Sequence, residues 1–363
     1  MVPLPVRVTV VTRQSANHVL AGFALLDRAG VVDLDLRYRP ELAAAHPSPS
    51  IAEAVVDGRV VVAYDLEDAY LVDWDTRNAY LATVAHCFKR SFDAAQHAAS
   101  PHAARIHPLG LVYNVTARRP YLRELPPRQV VKRGLRADLT PYWWRFEDVP
   151  RPVRDPRVLF AARAWDPGGE PGEHLGDRAL ARDDREPLNE LRATCVRRLR
   201  REFGGAFTGG LAPTPYARAA FPDCVAPRSV TARPAFLALV RQADVCVATR
   251  GLFGSNGFKL GEYVAAAKAV VSEPLQYAVP GDFRPGRNYL GFADADECVE
   301  QVAALVADPG RAYAMKTANY RYYHEYVRPD RMVLNTLMVA LEGAEAAVGA
   351  TAAAGWSTDP RTT

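Results

Sequence analysis

Cysteine is scarce, and long apolar runs are absent. The 363-residue chain has five cysteines (Cys87, Cys195, Cys224, Cys246 and Cys298), widely spaced and without a CxxC pair. This argues against a disulfide framework or a cysteine-built zinc site. It predicts idle thiols in a reducing compartment, the cytoplasm. No stretch of 18 apolar residues occurs, so no membrane span is predicted. The opening, Met1-Val2-Pro3-Leu4-Pro5-Val6-Arg7, has no charged stretch leading into an apolar core and a small-residue cleavage site, and no signal peptide is expected. An excess of one charge is lacking too. The 45 basic and 41 acidic residues leave a net +4, too mild to demand nucleic acid but suited to a cleft that accepts an anion. Residues 12–18, after the first predicted strand, contain no glycine. A GxGxxG turn is therefore missing there, which counts against a nicotinamide dinucleotide fold.

What is present is ordinary globular composition, 49% hydrophobic and 24% charged, over a length that suits two domains. In the first half, β-branched and apolar runs predict strands at 6–12, 32–38, 60–65, 83–88 and 104–107, with a helix from Val19. The proline- and charge-rich stretch from Trp144 to Arg157 reads as an interdomain linker. A second strand–helix series follows, with strands at 158–162, 206–208, 243–248 and 269–272 and a helix over 185–203. Short strands alternating with helices predict an α/β fold with parallel sheets. Helices are expected over 294–307 and 310–326, and Pro329 is placed to open a last one. The expected domains are 1–150, 151–328, a helix at 329–345 crossing back to the first domain, and a frayed tail at 346–363.

The most informative window lies between Asp244 and Leu275. It reads strand, glycine-rich turn, helix, strand. Gly251, Gly254 and Gly257 allow positive φ and close approach to a ligand. Ser255 or Asn256 is placed to cap the helix, leaving the amides of Gly257, Phe258 and Lys259 to face an anion such as a diphosphate. Lys259 adds a charge, and Glu262, three residues on along the same helix side, offers a carboxylate for two sugar hydroxyls.

The run Gly257-Phe258-Lys259-Leu260-Gly261-Glu262-Tyr263-Val264-Ala265-Ala266-Ala267-Lys268-Ala269-Val270-Val271-Ser272 resembles the donor-binding segment of GT-B glycosyltransferases, above all the family-4-like retaining enzymes. The resemblance covers about 160–340. It implies a GT-B fold, two Rossmann-like domains facing a central cleft. It implies that Glu262 holds the nucleotide ribose, that Lys259 and the amides from Ser255 to Phe258 hold diphosphate and sugar, and that Arg163, just past strand 158–162, grips the diphosphate. Gly254 stands where the family often has a second glutamate, eight residues before Glu262. The implied reaction is transfer of a sugar from a nucleoside diphosphate (UDP or GDP foremost) to a hydroxyl or amine of a small acceptor, with retention, without metal or other cofactor. High Ala, Arg and Pro suggests a GC-rich bacterial genome and a natural-product or cell-envelope acceptor.

The first domain is expected to bind the acceptor. Its candidates are Asp65 and Asp68, with Glu67 between them, then Lys89 and Arg90. If the transfer inverts, a base is needed, and His18 and Asp68 are the candidates. The Asp-x-Asp pairs at 33/35, 73/75 and 294/296 are not read as metal ligands. The arginines at 192, 197, 198, 200 and 201 are read as the solvated face of a packed helix. Two rivals stay open: a nucleotide-sugar epimerase or phosphorylase on the same fold, and a non-catalytic nucleotide-sugar-binding protein. Oligomeric state is left open.

Overall fold

A computed structural model of the chain describes residues 2–11, 16–117, 140–169 and 175–354. It has two α/β units, each built on one sheet. The first sheet is six-stranded, in the order β2-β1-β3-β4-β5-β6. Its strands are β1 (Leu4–Val10), β2 (Val32–Tyr38), β3 (Ile51–Val56), β4 (Val60–Asp65), β5 (His86–Lys89) and β6 (Ile106–Pro108). The second is five-stranded and wholly parallel, β11-β10-β9-β7-β8. It is built from β7 (Val158–Ala162), β8 (Phe207–Leu211), β9 (Val245–Ala248), β10 (Ala269–Ser272) and β11 (Leu290–Gly291).

The first sheet corrects the all-parallel expectation at one place. β3 runs antiparallel to both β1 and β4. It is joined to β4 through Asp57 and Gly58, both at positive φ (51° and 69°). An Asp-Gly pair is the turn that a tight hairpin needs, so the run IAEAVVDGRVVVAYD carried a hairpin signal that strand alternation alone passes over. The strand expected at 83–88 starts later, at His86, because Thr83 closes the preceding helix by donating to the carbonyl of Tyr80.

The Asp-x-Asp pairs have local duties. Asp73 caps helix Trp74–Leu81, and Asp294 caps helix Ala295–Ala307 with bonds from two amides. Asp35 of β2 pairs with Arg7 of the neighbouring β1 and with Arg37 of its own strand. All five cysteines are buried and free. Among the described residues no helix is long and apolar enough to cross a membrane.

Two seams join the units. In the first, Pro329 opens a helix that runs to Ala354, beyond the expected end at 345; residues 355–363 of the expected tail lie outside the described residues. Met332, Val333, Leu337 and Ala340 of this helix are buried in the core of the first sheet. They reach it by crossing α1 (Asn17–Arg28) at Gly22, where a Cβ would stand 2.2 Å from the carbonyl oxygen of Pro329. In the second seam, Leu109 and Val112 pack into the first core, while Leu111, Tyr113 and Val115 join Phe236, Leu260, Tyr263 and Val264 of the second. Val112 thus alternates with Leu111 and Tyr113 to serve the other core, as a period of two allows, while Leu109 lies before Gly110, whose φ of 107° redirects the chain.

Candidate functional site

The glycine-rich turn sits at the carboxyl edge of the parallel sheet, where open α/β sheets bind ligands. It follows β9, and its backbone is forced. Phe253 adopts φ 57°, ψ 30°, and Gly254 follows at φ 69°. A bulky residue in the left-handed region is strained and persists only where its surroundings over-determine it. Here the Phe253 N–H donates to Asp184 Oδ2 at 2.7 Å, and its carbonyl accepts from the Tyr277 hydroxyl at 2.9 Å.

The turn delivers the chain to helix Phe258–Ala265. Its N-cap is Gly257, with no side-chain cap, which corrects the expectation that Ser255 or Asn256 caps it. The Ser255 N–H is used within the turn, donating to the Leu252 carbonyl. Asn256 instead donates its side-chain amide to the carbonyl of Tyr277. The Leu260 N–H turns back to Gly257 O. The first-turn N–H groups of Phe258 and Lys259 lack an i−4 acceptor within the helix, as at any helix start. A Cβ at Gly254 would stand 1.7 Å from the amide oxygen of Gln276. The end of that glutamine fills the space where a side chain at 254 would project.

Glu262 is 1% exposed and closely paired. Arg233 Nη1 donates to its Oε1 at 2.7 Å, and Lys259 Nζ lies 3.1 Å from its Oε2. Arg233 also reaches the Asn114 carbonyl of the first unit at 3.3 Å. The Lys259 ammonium stands 3.1 Å from the ring centroid of Phe236, a cation–π contact. Burial pulls the Lys259 pKa below its usual value; Glu262 opposes the shift and Arg233 adds to it. Lys259 and Glu262 therefore act as one paired unit with Arg233, a partner the sequence reading did not name.

Arg163 is exposed one residue past β7, with its guanidinium over the Trp165 ring at 4.5 Å. The same edge carries residues that the sequence reading missed or misplaced. Arg192, assigned above to a solvated helix face, is buried. It donates to Thr249 Oγ1 (2.9 Å) and to the carbonyls of Arg163 (2.6 Å) and Arg250 (2.7 Å), stapling the ends of β7 and β9. Burial lowers its pKa to about 10. The solvated reading holds for Arg197 and Arg198, which pair on the surface with Asp223 and Asp296. Arg250 faces Asp184 at 3.2 Å and Glu273 at 3.6 Å. Glu273, one residue past β10, accepts the Arg250 N–H at 2.9 Å, and burial raises its pKa. Its place just beyond a strand end was the available signal.

From the first unit, Arg90 crosses to the turn. Its Nη2 donates to the Asn256 carbonyl at 3.0 Å, its guanidinium lies over the Phe258 ring at 4.5 Å, and it pairs with Asp68. Beside it, Ala278 N–H donates to Phe92 O at 2.9 Å. Arg90 thus stands against the glycine-rich turn, with Asp68 beside it. Asp65 and Lys89 do not face an open cleft. Each is 1% exposed; Asp65 accepts from Arg77 (2.7 Å) and Lys89 (3.1 Å), and Lys89 also donates to Ala69 O. The electrostatic field of those two cations holds the Asp65 pKa down against the upward push of burial. His18 is likewise withdrawn. It is 2% exposed, with Nδ1 against Tyr113 O and N–H and Nε2 2.9 Å from Val327 O, and burial lowers its pKa to about 4. It ties the two seams and is not placed as a base.

Residues 192–337 match the family described as "Glycosyl transferase-like". No curated protein is significantly similar to the chain in sequence. Among solved structures, a glycosyltransferase from Rickettsia africae is 12% identical, with a TM-score of 0.46 over 92% of this chain and 84% of its own. Anabaena HepE, solved in complex with UDP and glucose, is 9% identical, with a TM-score of 0.41 over 88% and 89%. The pneumococcal O-GlcNAc transferase GtfA, solved with UDP and GlcNAc, is 11% identical, with a TM-score of 0.40 over 77% and 49%. The match covers less than half of the chain and lies in the second unit and the crossing helix. The matched segment runs from the stapling Arg192 through the turn and Glu262 to Leu337 of the crossing helix.

Proposed function

We propose that the chain transfers a glycosyl group from a nucleoside-diphosphate sugar to a hydroxyl or amine of a small acceptor, with retention and without metal. The observation that carries this is the strained turn at Phe253–Gly254, which leads into an uncapped helix start that Arg90 touches, at the sheet edge that also carries Arg163. Its Phe258 and Lys259 amides bind the diphosphate, and Arg163 and Lys259 offset the charge that grows on the leaving group. Glu262 accepts the ribose hydroxyls in place of one of its present cations; UDP and GDP are the leading donors. Gln276 supplies an amide where a carboxylate at 254 would otherwise meet the donor sugar. Arg90 and Asp68 line the acceptor side. In a retaining transfer the departing phosphate oxygen takes the acceptor proton, so no protein base is required, which agrees with the burial of His18.

Titrating UDP, GDP, dTDP and ADP against the purified chain tests the reading. One or more of them is expected to bind, and Glu262→Ala is expected to abolish that binding and the transfer. Unchanged transfer in Glu262→Ala defeats it. Release of free nucleoside diphosphate only when acceptor is present separates a transferase from an epimerase.

A further inference from the structure

On the opposite edge of the second sheet, at the amino ends of its strands, lies a cavity of about 270 Å³. It is walled by the linker, by the residues just before β7, β9 and β10, and by Lys316 of helix Pro309–Tyr322. We propose that this cavity binds a phosphate group, as a second ligand site separate from the donor corner.

The argument is a count of charges and of unused donors. The lining has five cations (Arg151, Arg157, Arg241, Lys268 and Lys316) against the three carboxylates of Asp148, Asp155 and Asp244, a surplus of two. Two of the cations are buried, Lys268 and Lys316, each 5% exposed. Lys268 Nζ donates to Asp148 Oδ2 (3.2 Å) and Arg241 O (3.1 Å). Lys316 Nζ donates to Asp244 Oδ1 (2.8 Å) and Arg151 O (3.3 Å). An ammonium has three N–H donors, so each retains one. Arg157 and Arg241 stand exposed, and neither guanidinium has a hydrogen-bond or ion-pair partner among the described residues. A cavity lined by two buried ammonium donors and two exposed, unpaired guanidinium forks matches a tetrahedral dianion, which takes bidentate arginine contacts well.

The backbone around the cavity is also held against its preference. Ala267, in the lining, adopts φ 51°. That conformation sets the chain direction into Lys268, whose N–H donates to Tyr263 O at 3.0 Å. Bound phosphate would join the linker, through Arg157, to the body of the second unit.

The test is calorimetric titration of the full chain with inorganic phosphate and, separately, methyl phosphate, at constant ionic strength made up with chloride. Arg157→Ser combined with Arg241→Ser removes both forks. Both side chains are exposed, and the backbone bonds between Arg157 and Asp244 remain. Phosphate is expected to bind at least tenfold more weakly to this variant, with the affinity for UDP unchanged, while Lys259→Met leaves the cavity site intact. Tighter binding of methyl phosphate than of phosphate would identify a phosphomonoester as the natural source; the reverse would identify the free ion. The proposal is overturned if the wild type binds neither anion, or if the double variant binds both as the wild type does.

Discussion

Acid should loosen the seam that His18 holds, and the size of the effect follows from its burial. The imidazole is enclosed between Tyr113 and Val327 and stays neutral until about pH 4. In the unfolded chain the same side chain protonates near its ordinary pKa of about 6.5. Between these two values the unfolded state binds a proton that the folded state refuses, so stability falls as pH falls. The full contribution is present above about pH 6.5 and is lost on descending toward pH 4, at about 1.4 kcal/mol per pH unit. At pH 5 the loss is roughly 2 kcal/mol, and at pH 4 roughly 3 kcal/mol. Urea unfolding of the wild type and of His18→Gln at pH 7, 6 and 5 isolates this share. The variant starts lower at pH 7, having lost a buried hydrogen bond worth about 1 kcal/mol. Its stability should then decline less steeply, so that the order reverses and the variant is roughly 1 kcal/mol the more stable at pH 5. Parallel declines would refute the reasoning, because they would mean that His18 is free to protonate in the folded chain.

Gly22→Val should destabilise the protein by about 1–3 kcal/mol through overpacking where the last helix crosses α1, read as a lower urea midpoint at unchanged slope. Lys89→Met should cost about 3–5 kcal/mol, since Asp65 would remain buried with one of its two cations gone. Ala267→Gly should raise stability by up to about 1 kcal/mol, because relief of the left-handed conformation exceeds the added freedom of the unfolded chain. Arg192→Met should weaken UDP binding, read by calorimetric titration, since the lost bonds position the ends of β7 and β9.

The turn after β9 was the most legible part of the site. Glycine spacing, Lys259 and Glu262 are local signals, and the parallel sheet places them at its carboxyl edge. The hairpin at Asp57-Gly58 was also written locally, in a turn pair that reading for alternation overlooks. Arg233, Arg192 and Glu273 were not legible in the same way. Each acts on a residue 23 to 57 positions distant, and no short-range pattern encodes such a meeting. His18, Asp65 and Lys89 followed or ended strands as cleft residues often do, but their burial depends on elements far along the chain. Even the helical arginines divided only in three dimensions, Arg192 turning inward and Arg197 outward.

By itself the sequence determined the alternation of strands and helices and a glycine turn leading into a cationic helix start. These follow from backbone sterics and the period of apolar residues, which are properties of neighbours in the chain. Only the tertiary structure decided which charges are consumed in pairs and which remain available. It pairs Lys259 and Arg233 with Glu262, buries Lys89 on Asp65, and leaves Arg157 and Arg241 facing a cavity. The physical reason is that an ion's partner and its hydration depend on what packs around it, and packing joins residues that the chain keeps apart.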